Sequence, residues 1–169
     1  LTTKVTIINL DISSTYNCTK LYDKVKKEDI DIVINNAGFG LFGEFTETSL
    51  DKELDMIDTN IKAVHTLTKL FLKDFKEKDS GYILNVSSSA AFLSGPLMST
   101  YYATKGYVLK LTEAIYEELR REDSNVYIGA LCPGPVDTEF NDVANVKFSI
   151  QSLNSQDVAE YAINKMFKR

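Results

Sequence analysis

Short apolar runs alternate with helical patterns along this chain of 169 residues, and this alternation restricts the fold more than any other feature. Each run is rich in Ile and Val and closes with polar residues or glycine, as buried parallel strands do. The runs are KVTIINLD (4–11), DIVINNAG (31–38), GYILNVSS (81–88) and NVYIGALCPG (125–134). The strands expected in one parallel sheet lie near residues 4–10, 31–35, 82–87 and 126–132.

Helical periodicity fills the segments between these runs. The helices are expected at 14–28, 49–78, 100–121 and about 155–167. Asp58-Thr59-Asn60 is a candidate interruption of the second helix, and Ser99 or Thr100 is placed to cap the third. Repetition of strand, helix and strand predicts a doubly wound α/β fold with a parallel sheet between helices, in which residues 1–169 form one domain or part of one.

Composition excludes several classes of function. The net charge is −5 with acidic and basic residues mixed, so we expect no nucleic-acid or anionic membrane partner. No apolar run approaches the ~20 residues of a membrane-spanning helix. Two cysteines outside any CxxC pattern favour a reducing, cytoplasmic setting, and with His65 as the single histidine we expect no metal site.

The ends of the expected strands carry polar residues or glycine. They are Asp11, Asn35-Asn36-Ala37-Gly38, Ser87-Ser88-Ser89 and Pro133-Gly134. In doubly wound sheets the ligand lies beyond the carboxyl ends of the strands, so this edge is the expected site.

The segment STYYATKG (99–106) places Tyr101 and Lys105 four residues apart at the start of a helix, where they share one face. Such a pair is ordinary on a helix surface, but this one falls near the expected site. A tyrosine has a pKa of about 10, which a nearby ammonium can lower by roughly 1 to 3 units. The spacing therefore indicates a tyrosine prepared for proton transfer.

Four motifs in order carry a family resemblance. They are NNAG, NVSS, YYATK thirteen residues after Ser88, and PGPVDT, each at an element boundary. Together they resemble the compact NNAG and YxxxK branch of the short-chain dehydrogenase/reductases. The resemblance implies a Rossmann-like three-layer α/β/α fold and an NAD(P)-dependent oxidoreductase that transfers a hydride between a nicotinamide cofactor and a carbonyl or alcohol.

The resemblance also implies four catalytic residues. Tyr101 is the general acid and base at the substrate oxygen, and Lys105 supports it while binding the ribose hydroxyls. Ser88 hydrogen-bonds the substrate carbonyl. Asn60 holds a water that links Lys105 to solvent. Tyr102 is the competing candidate for Tyr101, but it does not stand four residues before the lysine.

The cofactor-binding residues follow from the same resemblance. Asp11 and Ile12 contact the adenine, Gly38 lets the backbone approach the cofactor, and Val136 with Thr138 holds the carboxamide. The full set is Asp11, Ile12, Asn36, Ala37, Gly38, Tyr101, Lys105, Pro133, Gly134, Val136 and Thr138. The cofactor is NADP or NAD, and family analogy favours NADP(H).

One expected feature is not found in the sequence. A dinucleotide site needs a glycine-rich turn into a helix N-terminus for the pyrophosphate, and GFGLFG (38–43) does not have that pattern or position. By the resemblance, the first two strands, which include this turn, precede Leu1, and the last strand follows Arg169. We therefore expect a family member truncated at both ends.

Substrate and assembly are indicated only by apolar residues. Between the PGPVDT motif and Ser155, apolar side chains favour an apolar carbonyl substrate, such as one with an acyl chain, unless they pack on the domain. They are Phe140, Val143, Val146, Phe148 and Ile150. Helices 60–78 and 101–121 carry apolar residues on more than one face and pair between subunits in this family, which implies a homodimer or homotetramer. These residues include Phe71, Leu72, Tyr107, Leu111 and Tyr116.

Two other functional classes use similar parts. A non-catalytic dinucleotide-binding sensor on this fold is one, but it has no need for all four catalytic residues. A sugar-nucleotide epimerase or dehydratase also uses YxxxK, although NNAG argues against that branch.

Overall fold

The computed structural model describes residues 3–140, 144 and 152–168. Its helices are α1 (Thr15–Val25), α2 (Leu50–Ile57), α3 (Val64–Glu77), α4 (Ser99–Arg121) and α5 (Ser155–Met166). Its strands are β1 (Ile32–Asn35), β2 (Tyr82–Val86) and β3 (Tyr127–Leu131). A π-helix, Asp58–Ala63, joins α2 to α3, and a 3₁₀ turn, Ser89–Phe92, follows β2.

In the described residues, the three strands form one parallel sheet in the order β1-β2-β3. Ile34 pairs with Leu84 and Leu84 with Gly129, so the carboxyl ends of the strands lie at one edge. Because side chains alternate along each strand, Ile83 points to one face of the sheet and Leu84 to the other.

Helices cover both faces of this sheet. Phe75 of α3 and Leu119 of α4 pack against Ile83 and Ile128 on one face. On the other face, Ala162 and Met166 of α5 pack against Leu84. A further layer forms where Cys18 of α1 packs on Leu67 and Phe71 of α3. The expected α/β fold with a parallel sheet between helices is confirmed.

The expected first strand is wrong. Residues 4–10 form no strand, and Val5 and Ile7 are 78% and 87% exposed. In the doubly wound strand order, the third strand pairs with the second and not with the fourth. The resemblance implies that 4–10 is the third strand of the family and β1 the fourth. These two strands are not neighbours in that order, so the backbone N–H and C=O groups of 4–10 have no adjacent strand to pair with among the described residues.

Local sequence explains two helix starts but not a third. The Ser49 side chain caps α2 by accepting a hydrogen bond from Lys52 N, and the Asn154 side chain caps α5 at Gln156 N and Asp157 N. The expected cap of α4 by Ser99 or Thr100 is wrong. Helix α4 already includes both residues, and Met98 precedes it without a side-chain cap.

The candidate interruption of the second helix is confirmed as the π-helix. It adds backbone length at the point where Asn60 enters the core, with 1% of its surface exposed. Short π segments inside α-helices occur often at functional sites. The π-helix therefore indicates that Asn60 is a candidate functional residue.

Candidate active site

A cavity of about 920 Å³ opens at the carboxyl edge of the sheet, where the loops after all three strands meet the first turns of α4. Nine of the predicted site residues line it: Asn36, Gly38, Ser88, Tyr101, Lys105, Pro133, Gly134, Val136 and Thr138. The topology thus brings together side chains that are separated by up to about one hundred residues in the sequence.

The four remaining predicted residues lie outside the cavity wall. Asp11 is exposed, and its Oδ1 accepts a hydrogen bond from Ser13 N at 3.0 Å, which holds its pKa below the ordinary value. Ile12 packs against the cluster between α1 and α3. Ala37 is exposed in the loop after β1. Asn60 lies behind the wall.

Tyr101 is the third residue of α4 and only 8% exposed. Its ring packs against Tyr102 and Phe140, with centroids 6.1 and 5.2 Å away. Burial raises the pKa of Tyr101, while its hydrogen bond with Ser88 opposes that change. The expected lowering of this pKa by Lys105 is therefore not found, because loss of hydration is the largest influence on the phenol and Lys105 is not among the groups that shift it.

Lys105 lies one turn further along α4 and is 6% exposed. Its Nζ donates a hydrogen bond to Val86 O at 2.9 Å and lies 5.8 Å from the centroid of the Tyr101 ring. Burial lowers the pKa of Lys105 to about 8. Among the described residues, Val86 O is the hydrogen-bond partner of this ammonium, so two of its three donors are unpaired there.

Ser88 follows β2 and precedes the 3₁₀ turn. Its Oγ accepts a hydrogen bond from Ala90 N at 3.1 Å and is 3.5 Å from Pro133 O. The hydroxyl therefore stabilises the turn by hydrogen bonding, as serines at strand ends often do. Ser88 also lines the cavity beside Tyr101.

Asn60 joins the loop after β1 to α4. Its Nδ2 donates to Phe39 O at 2.9 Å and to Thr104 Oγ1 at 3.1 Å, and its Oδ1 accepts from Phe39 N at 3.1 Å. A Cβ added at Gly38 would lie 2.9 Å from Asn60 Oδ1 and 3.4 Å from Lys105 Nζ. Glycine is needed at this position because the backbone passes directly beside both side chains.

The structure adds contacts of residues to which the sequence analysis assigned no role. Ser87 Oγ donates a hydrogen bond to the backbone oxygen of Lys105 at 2.8 Å, and Thr104 Oγ1 accepts a hydrogen bond from the side-chain amide of Asn60. Phe39 and Met98 help to form the apolar part of the cavity wall. Ser87 and Thr104 lie inside the NVSS and YYATK motifs, but their positions in the sequence do not show which way their side chains point.

Phe140 lines the cavity, packs on Tyr101 and belongs to the same apolar cluster as Met98. The other apolar residues expected to cover the substrate, Val143, Val146, Phe148 and Ile150, lie outside the described residues. Within the described ranges, no group of three or more His, Cys, Asp or Glu side chains is placed to hold a metal ion. No helix there is long and apolar enough to cross a membrane.

The burial of Lys105 predicts a pH dependence of stability. Between its folded pKa of about 8 and the ordinary value of 10.5, the unfolded chain binds a proton that the folded protein does not. Stability therefore rises with pH in this window. Relative to Lys105→Met, we expect the wild-type free energy of unfolding to gain about 2 kcal/mol between pH 7.5 and pH 10.

Urea unfolding at several pH values measures this difference. Lys110→Met is the matched control, since Lys110 lies on the same helix with a side chain that is 75% exposed. Its profile should run parallel to that of the wild type. A Lys105→Met profile parallel to the wild type would contradict the prediction.

Comparison with known proteins identifies the family of this chain. A sequence profile of the short chain dehydrogenase family matches residues 1–147. The NADP-dependent 3-hydroxy acid dehydrogenase of Schizosaccharomyces pombe is 31% identical over 174 residues, which cover 96% of this chain and 66% of that protein.

Two solved structures show the same fold. A short-chain dehydrogenase from Sphingobium yanoikuyae in complex with NADPH superposes with a TM-score of 0.84 at 23% identity, covering 93% of this chain and 62% of that one. A short-chain dehydrogenase/reductase from Burkholderia phymatum in complex with NAD gives 0.74 at 27% identity, covering 94% and 59%.

The chain spans 66% of the yeast relative and 55% of a similar staphylococcal oxidoreductase. The family profile nevertheless covers most of the chain, including all four motifs around the cavity. The chain belongs to the short-chain dehydrogenase family.

Proposed function

We propose that this protein is an NAD(P)-dependent oxidoreductase that interconverts a carbonyl compound and its alcohol, with Tyr101 as general acid and base. The observation that carries the proposal is the shared cavity of Ser88, Tyr101 and Lys105, in which a buried ammonium has unpaired donors among the described residues. Burying a cation without a neighbouring carboxylate lowers stability, so we attribute the burial of Lys105 to a role in function.

The residues present fit the nicotinamide half of such a cofactor. The unpaired donors of Lys105 can bind ribose hydroxyls, and Gly38 brings backbone next to that ammonium. A Cβ added at Gly134 would meet no described atom within 4 Å, so this loop leaves room for a flat ring. Val136 and Thr138 line the same wall and would hold the carboxamide.

The adenine and phosphate half has less support. Asp11 and Ile12 remain the predicted adenine contacts, and Asn36 and Ala37, in the loop after β1, remain predicted cofactor contacts. Among the described residues, no glycine-rich turn leads directly from a strand into a helix, since GFGLFG (38–43) ends well before α2 begins at Leu50. Relatives bind NADPH or NAD, and the yeast relative's dependence on NADP favours NADP(H).

In the proposed reaction, the bound nicotinamide supplies or accepts a hydride at the carbonyl carbon. Tyr101 donates its phenolic proton to the carbonyl oxygen during reduction and regains a proton afterwards. Its raised pKa keeps the phenol protonated at neutral pH, as the reduction requires. Ser88 hydrogen-bonds the same oxygen and stabilises the charge that develops there.

Lys105 assists through its charge. A pKa of about 8 leaves the ammonium mostly protonated at neutral pH, and its field favours the tyrosinate left after proton donation. The proton-relay role of Asn60 stays a prediction. Its contacts support a second role, in which it fixes the loop after β1 against α4.

The apolar wall supports an apolar carbonyl substrate, including one with an acyl chain. Phe39, Tyr102 and Phe140 pack on the cluster that contains Tyr101.

We propose further that residues 1–169 are part of one cofactor-binding and catalytic domain, and that the protein is cytoplasmic, since Cys18 and Cys132 are both free thiols.

Absorbance at the reduced-nicotinamide band tests the proposed function. The intact protein is mixed with NADPH or NADH and a series of apolar ketones that begins with acetophenone. We expect oxidation of one nucleotide that depends on the ketone. Binding of the nucleotide without oxidation by any ketone would favour a sensor and contradict the proposal.

We also propose a homodimer or homotetramer that pairs the outer faces of α3 and α4. Tyr107 and Tyr116 are 39% and 52% exposed there, and His65 of α3 shares a 2.8 Å hydrogen bond with the Tyr107 hydroxyl. Phe71 does not belong to this face, because it is 6% exposed and packs beneath α1. Leu72 packs against the buried cluster that includes Phe75 and Ile83 on one face of the sheet.

Light scattering at micromolar concentration is expected to give at least twice the mass of one chain. Substituting lysine for both Tyr107 and Tyr116 should place charge in the interface and shift the mass to that of a monomer. Tyr161→Lys, at an exposed position on α5, is the control. A monomeric wild type would refute the proposed assembly.

A further inference from the structure

Helix α4 carries Tyr101 in its first turn but has no cap of its own. Met98 precedes the helix with no side-chain hydrogen bond to its first N–H groups, whereas α2 and α5 are capped by Ser49 and Asn154. The first turn of a helix frays when these groups lack partners. Something else must hold the turn if the Tyr101 hydroxyl is to keep a fixed position.

The carboxylate of Glu53 contacts this turn through the hydroxyl of Thr100 and not through the N–H groups of the helix. Glu53 lies on α2, is 8% exposed, and accepts a 2.9 Å hydrogen bond from Thr100 Oγ1 through its Oε2. Its Oε1 accepts a second hydrogen bond from Thr48 Oγ1. Both carboxylate oxygens are therefore bound to hydroxyl donors, and a negative group near a helix N-terminus is also favoured by the helix dipole.

Two contacts from the same continuous helical segment bracket Tyr101. Glu53 contacts Thr100, the residue before Tyr101, and Asn60 contacts Thr104, one turn further along α4. Leu97, just before α4, is tied in turn to Gly43 N by a 2.8 Å backbone hydrogen bond. The start of α4 is thus fixed from α2 and from the loop that precedes α2.

We propose that Glu53 is a positioning residue for the reaction at Tyr101, which it serves by holding the Thr100 hydroxyl. This inference rests on the proposed function, because it assigns no contact between Glu53 and substrate or cofactor. A buried carboxylate retained only for stability could be replaced by apolar residues at little cost, so its role is better tested on catalysis than on unfolding.

The test uses isosteric substitutions in the intact protein. Thr100→Val removes the donor, Glu53→Gln removes the charge, and Thr100→Ser keeps the hydroxyl. With the apolar ketone that the wild type reduces fastest, we expect the first two to lower kcat roughly ten- to hundredfold, the range that a misplacement of about 1 Å produces. KM and the Kd for NADPH should stay within about twofold, and Thr100→Ser should retain most of the wild-type kcat.

Thr112→Val is the matched control. Thr112 is a buried threonine of the same helix whose hydroxyl bonds Val108 O and Asn85, so its loss affects stability without touching the first turn. We expect it to lower Tm and leave kcat near the wild-type value. An equal loss of kcat in Thr112→Val would overturn the positioning role.

Hydrogen exchange gives a second measurement that needs no substrate. The amides of Tyr102 and Ala103 should exchange faster in Thr100→Val than in the wild type or in Thr112→Val. Wild-type exchange and kcat in Thr100→Val, with Tyr101→Phe inactive, would overturn this inference and leave the proposed function standing. Full activity in Tyr101→Phe would overturn both.

Discussion

Tyr101→Phe is expected to lower the rate of carbonyl reduction by roughly 10²- to 10⁴-fold, the contribution that a positioned general acid makes. The substitution removes one hydroxyl from a ring that is buried against Phe140 and Tyr102, so packing around the ring should be preserved. Cofactor affinity should remain within a few fold, because the proposed ribose contacts of Lys105 are unchanged. Single-turnover rates and NADPH fluorescence measure the two quantities.

Tyr102→Phe is the control for this substitution. Tyr102 is the next residue on α4, and its ring lies against Gly95, where an added Cβ would meet it at 2.3 Å. We expect the rate of this variant to stay near the wild-type value. The assignment would be wrong if Tyr101→Phe kept most of the wild-type rate and Tyr102→Phe lost it.

The second large effect concerns cofactor binding by the 169 residues alone. We propose contacts between described residues and the nicotinamide half, but no described helix begins directly after a glycine-rich turn. Each missing charge-assisted contact to a phosphate is worth about 1.5 to 3 kcal/mol, so two or three of them weaken binding by orders of magnitude. We expect NADPH to bind this chain far more weakly than it binds the yeast relative, which is NADP-dependent.

Nicotinamide fluorescence titrations of the two chains make this comparison. Ile32 and Ile34 of β1 are 39% and 46% exposed, an apolar surface that can promote aggregation of the shorter chain. Light scattering should therefore accompany each titration to confirm that the protein stays dispersed. Micromolar affinity in the 169-residue chain would reveal a phosphate site that the described residues do not show.

The edge of the sheet where the site lies follows from sequence alone. Each of NNAG, NVSS and PGPVDT follows a run that the structure confirms as a strand, and parallel strands place their carboxyl ends together. Tyr101 and Lys105 are four residues apart, which one helix turn brings to the same face. These inferences needed only local periodicity and the rule for parallel sheets.

Residues 4–10 show that a local hydrophobic pattern does not by itself determine whether a segment forms a strand. Its Ile and Val content is as strand-like as that of Ile32–Asn35, yet only the latter has a neighbour in the described sheet. A strand needs hydrogen bonds to another segment, and no pattern within the run specifies that segment.

The electrostatics of the site were decided by tertiary structure. The four-residue spacing predicts that Lys105 lowers the pKa of Tyr101, but desolvation by burial is the largest influence on this pKa and raises it. Burial raises the pKa of Tyr101 and lowers that of Lys105, because both side chains lose hydration when distant segments close over them. The sequence determined which groups meet at this edge, and only the packing of remote segments set their protonation and brought Glu53 to the start of α4.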